Sequence, residues 1–207
     1  MRYSQTHKEE TRKKLLDAAA AAVRIQGPDR VAVAEVMAQA GLTHGGFYAH
    51  FKSKDEMVGA AIGHAFDRSR RRFQRLGEGR SDTDYLSAFV DNYVSAAHRD
   101  APERGCPIAT LSNDLPRQGE PARAAFDAGV KSLISSISGR LTVGAAGDRD
   151  ALAGSLVAEM AGAVALARAV SDREFSDRLL SDARARVKAR MGLTDVSSPS
   201  DIPPQKA

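Results

Sequence analysis

The placement of glycine within residues 31–54, VAVAEVMAQAGLTHGGFYAHFKSK, constrains this chain more than any other feature. Val33, Val36 and Met37 are spaced to bury one face of a short helix, while Ala38 and Ala40 allow a neighbouring helix to approach closely. Gly41 ends that helix, because glycine enters the left-handed conformation after a last turn at no steric cost. Thr43 then stands as the N-cap of a second helix carrying Phe47, Tyr48, His50 and Phe51. Two short helices joined at a glycine occur in ordinary cores, and the same layout sets one helix into the DNA major groove.

The contents of the second helix favour the groove. His44, Gly45 and Gly46 fill its first turn. A buried structural helix gains nothing from two adjacent glycines, each of which costs about 1 kcal/mol relative to alanine. A bare backbone does allow close approach to a partner, and helix-end amides suit phosphate oxygens.

Charge points the same way. The net charge of +4 resides in residues 1–54, which hold nine Lys/Arg against five Asp/Glu, whereas residues 55–207 hold twenty-one of each. A basic head on a neutral body is the electrostatic footprint of phosphate binding, although a solvated basic face gives the same numbers. At 207 residues and 43% hydrophobic content the chain can bury a small module and a medium domain. Aromatics at 5%, no Trp and abundant Ala, Leu and Arg point to an all-α class. The polar N-terminus MRYSQTHKEETRKK shows no apolar signal core, so the expected location is cytoplasmic with no membrane partner. A lone cysteine, Cys106, agrees with a reducing compartment.

Taken in order, residues 5–26 form a helical pattern burying Leu15, Ala19, Ala22 and Val23, stopped by Gly27-Pro28-Asp29. Its start carries Thr11, Arg12, Lys13 and Lys14, a basic arrangement that an external anion would compensate. Ser53 with Glu56 has the form of a capping box and fixes the start of a long helix through Met57, Ile62, Phe66, Phe73 and Leu76. This helix is long enough to join head and body as a lever; Arg68, Arg70, Arg71, Arg72 and Arg75 along it read as a solvated face.

Another helical pattern spans 82–99, where Tyr85, Phe89 and Tyr93 recur every four residues. That stripe is either plain core or, with Phe126 from the helix over 122–141, the lining of a ligand cavity. Cys106-Pro107 opens a short helix reaching 114 or 115. Cys106 has two readings: the favoured one is a buried, inert cysteine filling space, and the other is a thiol at a helix start, close to Arg104, that ionises easily and senses electrophiles. Residues 148–169 are apolar around much of the helix, with Leu152, Leu156, Met160 and Val164, and the next helix offers Phe175, Leu179 and Val187. The pair reads as half of a four-helix dimer interface, with a single-chain core as the alternative. Residues 193–207 lack periodicity and are expected to be disordered.

The motif over residues 8–62, GLTHGGFYAHFKSKDEMV above all, resembles the TetR family of bacterial transcriptional repressors. This resemblance implies a homodimer with a three-helix, helix-turn-helix head over 1–52 that binds a palindromic double-stranded DNA operator. It also implies a helical ligand-binding and dimerisation domain over 53–192, where a small-molecule effector weakens DNA binding. The family's Tyr-x-His-Phe-x-x-Lys pattern falls on Tyr48, His50, Phe51 and Lys54. It implies phosphate contacts from Tyr48, His50 and Lys54, base contacts from Thr43 and His44, and close backbone approach at Gly45 and Gly46. Many members carry a hydroxyl residue and a basic one where this chain has Ala32, Val33 and Ala34, so Arg30 is the expected substitute, beside Arg12.

No glycine-rich phosphate loop, metal-spaced Cys/His cluster or Ser-His-Asp set stands out, so neither an enzyme nor a cofactor or metal is expected. His64 and His98 read as isolated surface or boundary residues. The reading from another class is a DNA-binding architectural protein without an effector.

Overall fold

The computed structural model describes residues 2–145 and 147–193. The disordered-tail expectation for 193–207 therefore falls, apart from Leu193, outside the described residues. The structure is all-α, with α1 Arg2–Gln26, α2 Val33–Gln39, a 3-10 turn His44–Ala49, and α3 Lys54–Gly77. The body follows as α4 Asp82–Tyr93, α5 Ala96–Asp100, α6 Ile108–Leu111, α7 Glu120–Ser138, α8 Arg149–Ala169 and α9 Arg173–Arg190.

Local chemistry sets the boundaries. Gly41 has φ +73°, and Leu42 N–H donates to Met37 O at 2.9 Å while Gly41 N–H donates to Ala38 O at 3.0 Å. These paired bonds close α2 as a Schellman motif. At the start of α3, Ser53 Oγ accepts from Glu56 N at 3.1 Å, and the Glu56 carboxylate accepts from Lys52 N at 2.6 Å. The capping box is thus shifted back by one residue on its acidic side.

Two hydrophobic clusters share α3. The head cluster joins Leu15, Val36, Phe47 and Phe51 to Met57, Val58, Ala61, Ile62 and Ala65 of α3, and takes in Leu111, Leu115 and Ala122 of the body. The body cluster gathers Phe73, α4, α8 and α9, while Phe66 packs against both. Along α7 the approach to α3 is too close for side chains at two points. A Cβ at Gly59 would lie 2.7 Å from Pro121 O, and one at Gly129 would lie 2.3 Å from the Phe66 ring. Among the described residues, α8 is the helix long and apolar enough to suit a membrane; here Leu156, Met160 and Val164 are buried in the body core.

The continuous helix expected over 82–99 is broken at Val94 (φ −93°, ψ 71°), and Ser95 caps α5 by accepting from His98 N at 3.1 Å. The break turns His98 inward, correcting its surface or boundary assignment. His98 Nδ1 donates to Tyr93 O at 2.7 Å, while Nε2 accepts from Cys106 N at 2.9 Å, which fixes the neutral tautomer. Gly105 is required beside it, since a Cβ there would stand 2.6 Å from Nε2. Arg168 of α8 closes the same corner, donating to His98 O at 2.7 Å and Arg99 O at 3.0 Å. Arg99, itself buried, reaches Ser176 Oγ and Asp177 Oδ1 of α9, each at 2.6 Å.

Burial, assisted by the Arg168 charge and opposed by the bond to Tyr93, draws His98 from its ordinary 6.5 down to about 4. The unfolded chain therefore binds a proton below its ordinary value that the folded chain resists until about pH 4. Stability is fully present above about pH 6.5 and falls as the pH drops through this window. Urea unfolding is expected to show about 2 kcal/mol less stability at about pH 5 than at about pH 7.5 from this group. His98→Gln should be less stable at the higher pH and show a flatter decline, whereas an unaltered slope would separate the decline from His98.

Candidate nucleic-acid interface and effector cavity

Phe47 and Phe51 anchor the turn after α2. Both are buried, with ring centroids 5.8 Å apart, in the cluster that holds Leu15 and Val36. Over His44–Ala49 the chain forms a six-residue 3-10 helix rather than the expected α-helix from Thr43. Two adjacent glycines in its first turn lower α-helical propensity, and a run this short suits the tighter 3-10 turn. Thr43 precedes this helix in extended conformation without a side-chain capping bond.

The outer surface of the element is formed by Thr43, His44, Gly45 and Tyr48, all exposed, with Tyr48 at 76%. Gly45 is not required by anything inside the head: its φ is not positive, and a Cβ there would meet nothing within 4 Å. At Gly46 the nearest atoms, Met37 Cε at 3.7 Å and Thr43 Oγ1 at 3.8 Å, would be ordinary contacts.

The basic residues divide into holders and free groups. Arg12 Nη1 donates to His50 O at 3.2 Å, and its guanidinium lies 5.3 Å from the Phe51 ring centroid, so Arg12 positions the end of the turn. Lys54 Nζ donates to Asp29 O at 2.6 Å, tying the start of α3 to the turn between α1 and α2. His50 is half-buried and Arg30 exposed. Ala32 caps α2 without a side-chain bond, as the departure from the family pattern predicted.

In the body, a cavity of about 560 Å³ opens between α3, α4 and α7. Phe66 and Phe73 give it apolar walls, while Tyr85, Ser132, Ser136, Arg70 and Arg140 bring polar groups. Arg140 is held over the Tyr85 ring, 4.7 Å from its centroid, and donates to Ser136 O at 2.8 Å. Of the expected lining, Tyr85 and Cys106 reach this cavity. Phe89 and Tyr93 do not, because both lie fully buried behind Phe73, with Phe89 packed edge-on at 4.6 Å. Phe126 is likewise outside the lining, turned edge-on against Phe66 at 5.7 Å. Of the residues missed by sequence reasoning, Ser132 and Ser136 carry only the weak signal of hydroxyl groups along α7, and Arg140 lies in the turn just past its end.

Of the two readings of Cys106, the structure matches the buried cysteine rather than the easily ionised thiol. The thiol is 3% exposed, and burial pushes its pKa up. Helix α6 spans only four residues, and Arg104 points outward to pair with Glu103 at 3.2 Å rather than with the thiol. The neighbouring Tyr93 hydroxyl is buried without a hydrogen bond of good geometry.

The stripe assigned to dimerisation is also corrected. Leu156, Met160 and Val164 of α8 and Val187 of α9 are buried in the chain's own core, and Leu152 packs against it. Phe175 stays 42% exposed and Leu179 half-buried. With α8 apolar on two sides, the larger side chains turn inward, leaving Ala151, Ser155, Ala158, Gly162 and Leu166 outward at helical spacing. Leu166 is 57% exposed, and a Cβ at Gly162 would meet nothing within 4 Å.

Comparison with known proteins agrees with this architecture over both halves. The profile of the bacterial regulatory proteins of the tetR family matches residues 15–61, and that of the tetracyclin repressor-like C-terminal domain matches residues 83–182. No curated protein matches the sequence. Among solved structures, a TetR transcriptional regulator from Chloroflexus aurantiacus J-10-FL is 28% identical with TM-score 0.74, over 93% of this chain and 97% of its own. The reduced form of Escherichia coli NemR is 23% identical with TM-score 0.74, over 86% and 95% respectively. A TetR-family regulator from Cytophaga hutchinsonii shares the fold at 17% identity and TM-score 0.73, over 91% and 96%. With both halves matched in order and the helix-turn-helix geometry in place, the chain belongs to the TetR family of transcriptional regulators, with its DNA-binding domain at the N-terminus.

Proposed function

We propose that this protein is a cytoplasmic, ligand-responsive repressor that binds a palindromic operator as a homodimer and leaves it when a small molecule fills the cavity between α3 and α7. The observation that carries the DNA-binding surface is Gly45, whose missing side chain serves no internal contact. An approaching sugar-phosphate backbone supplies the missing reason. His44, beside it and exposed, is the base reader; Tyr48 donates to a phosphate; Arg12 and Lys54 position the element.

The outward faces of α8 and α9, with Leu166 near the end of α8 and Phe175 near the start of α9 as exposed apolar residues, form the dimer surface in this reading. Small residues at Ala158 and Gly162 allow a second copy's helices to come close. Two heads then present their 3-10 turns about 34 Å apart, one turn of DNA. A cavity of about 560 Å³ lies within the usual range for small ligands, which favours a sensing protein over an architectural one. Aromatic walls with Arg70 and Arg140 at the rim suit an aromatic carboxylate. The buried, protonated thiol of Cys106 favours non-covalent capture over reaction with an electrophile.

Four variants test this reading. Gly45→Ala is expected to leave thermal stability unchanged or raised by up to about 1 kcal/mol while weakening operator binding at least about tenfold; full affinity would remove the close-approach argument. In the same titrations, His44→Ala should lose about 1–3 kcal/mol of discrimination against random DNA. Sedimentation of Leu166→Asp should show monomers, whereas a persisting dimer would exclude this face. Arg140→Gln should weaken binding of an aromatic carboxylate at least about tenfold and leave its neutral amide unaffected. If no member of an aromatic-carboxylate panel binds saturably or lowers operator affinity, this ligand class is wrong.

A further inference from the structure

A second, slightly larger recess of about 610 Å³ lies on the other side of α3, against α1. Seven arginines from three separate elements line it: Arg12 and Arg24 of α1, Arg68, Arg71, Arg72 and Arg75 of α3, and Arg104 from the turn before α6. The row on α3 that reads in the sequence as a solvated face is in fact one wall of a cleft. Like charges gathered this closely repel one another unless an anion stands among them.

The acids present do not meet that need. Of the lining residues, only Glu9 and Asp17 are acidic, against eight Lys/Arg when Lys13 is included, and from outside the lining Glu103 pairs with Arg104 at 3.2 Å. Asp17 is already engaged by Arg68 at 2.6 Å and His64 at 2.8 Å. Arg72 donates to the neutral amide oxygen of Asn92 at 2.6 Å. Among the described residues, Arg71 and Arg75 take part in no ion pair. Arg24 is the most telling: it is 5% exposed, gives Nη2 to the Glu103 carbonyl, and leaves Nε buried with no partner. Burial, with the Arg68 charge next, draws Arg24 down to about 10, so it remains cationic at neutral pH.

Arg12 at the near end of the cleft holds His50 O, but the part of the cleft formed by Arg24, Arg71, Arg72, Arg75 and Arg104, where the proposed site lies, is remote from the recognition element. Arg72 and Arg75 lie 18 and 21 residues beyond Lys54 on the unbroken α3, about 27 and 32 Å along the axis. The far wall is made by Arg104 of the body. Apolar lining is confined to Leu16, so the cleft suits a compact, highly charged ligand rather than an aromatic one. Guanidinium groups match phosphate oxygens in pairs, and several convergent ones favour an anion with more than one phosphate.

We infer that the arginine cleft between α1 and α3 is a binding site for a small polyphosphate anion, separate from both the operator surface and the effector cavity. Such a ligand would touch the head through α1, the lever through α3 and the body through Arg104 at once. The proposal does not depend on the identity of the effector or on operator binding.

The test is calorimetric titration of the full-length protein with pyrophosphate at physiological salt. The expected result is saturable binding at one site per chain, at least about tenfold tighter than orthophosphate. The Arg71→Gln/Arg75→Gln double variant removes two exposed cations without touching either core and should weaken binding at least about tenfold. Arg70→Gln, which alters an arginine of the same helix facing the other cavity, should bind as the parent does. Absence of saturable heat, or equal affinity in the double variant and Arg70→Gln, would overturn the assignment. So would a double variant that keeps its pyrophosphate affinity but loses binding to random DNA, since the cleft would then be an extension of the DNA surface.

Discussion

Two missing side chains hold α3 and α7 together, and both functional regions take their geometry from that contact. At Gly59 the Pro121 carbonyl occupies the space of a Cβ at 2.7 Å, and at Gly129 the Phe66 ring does so at 2.3 Å. Neither position tolerates a methyl group without separating the helices, because packed interiors leave no slack of that size. The same Phe66 is a wall of the α3–α7 cavity and packs against both hydrophobic clusters. A molecule entering the cavity therefore pushes on a side chain that has no room to yield except by moving α3.

Movement of α3 cannot stay in the body. Its first three turns carry Met57, Val58, Ala61 and Ile62, which are part of the head core, and Lys54 is fastened to Asp29 before α2. From the other side, Leu111, Leu115 and Ala122 of the body sit in that same head cluster, and Gln118 reaches Asp29 Oδ1 at 2.7 Å. Head and body thus share a core rather than a flexible joint. In the proposed reading, an effector changes DNA affinity by shifting a rigid lever between two packings, not by loosening a hinge.

Much of this was legible in the sequence where a residue type has one physical use. Gly41, Ser53 and the periodic apolar positions of α1, α3 and α7 each marked a boundary or a buried face that the structure repeats. Ambiguity entered wherever a helix had two apolar sides. On α8, spacing alone could not tell the stripe 152-156-160-164 from the opposite stripe through Ala158 and Gly162; Leu156, Met160 and Val164 fill the interior while Ala151, Ala158 and Gly162 lie outside, with Leu166 the large exception. The cavity was equally hidden, since Arg140 and Ser132 become neighbours of Tyr85 only through the packing of α7 across α3. Cys106 carried two readings because helix-start chemistry presumes exposure; depth within the core outweighs the field of one four-residue helix.

Positions that the fold itself does not explain fall into three groups, and their separation is informative. Gly45 lacks a side chain without any internal contact to require it, Leu166 and Phe175 keep apolar surface in solvent, and the cleft of Arg24, Arg71 and Arg75 concentrates charge that the chain does not neutralise. Each departs from the most stable choice for an isolated chain in a different way: propensity, hydration and electrostatic repulsion. Backbone exposure suits a polyanionic duplex, apolar exposure suits a second copy, and convergent guanidinium groups suit a small anion. Because α3 runs past the head core, the α3–α7 cavity and the arginine cleft, the ligands proposed for these places would act on one rigid element. Their binding free energies are then linked through the position of α3, and any of them that prefers one packing of the lever changes the affinity for the others by the same factor.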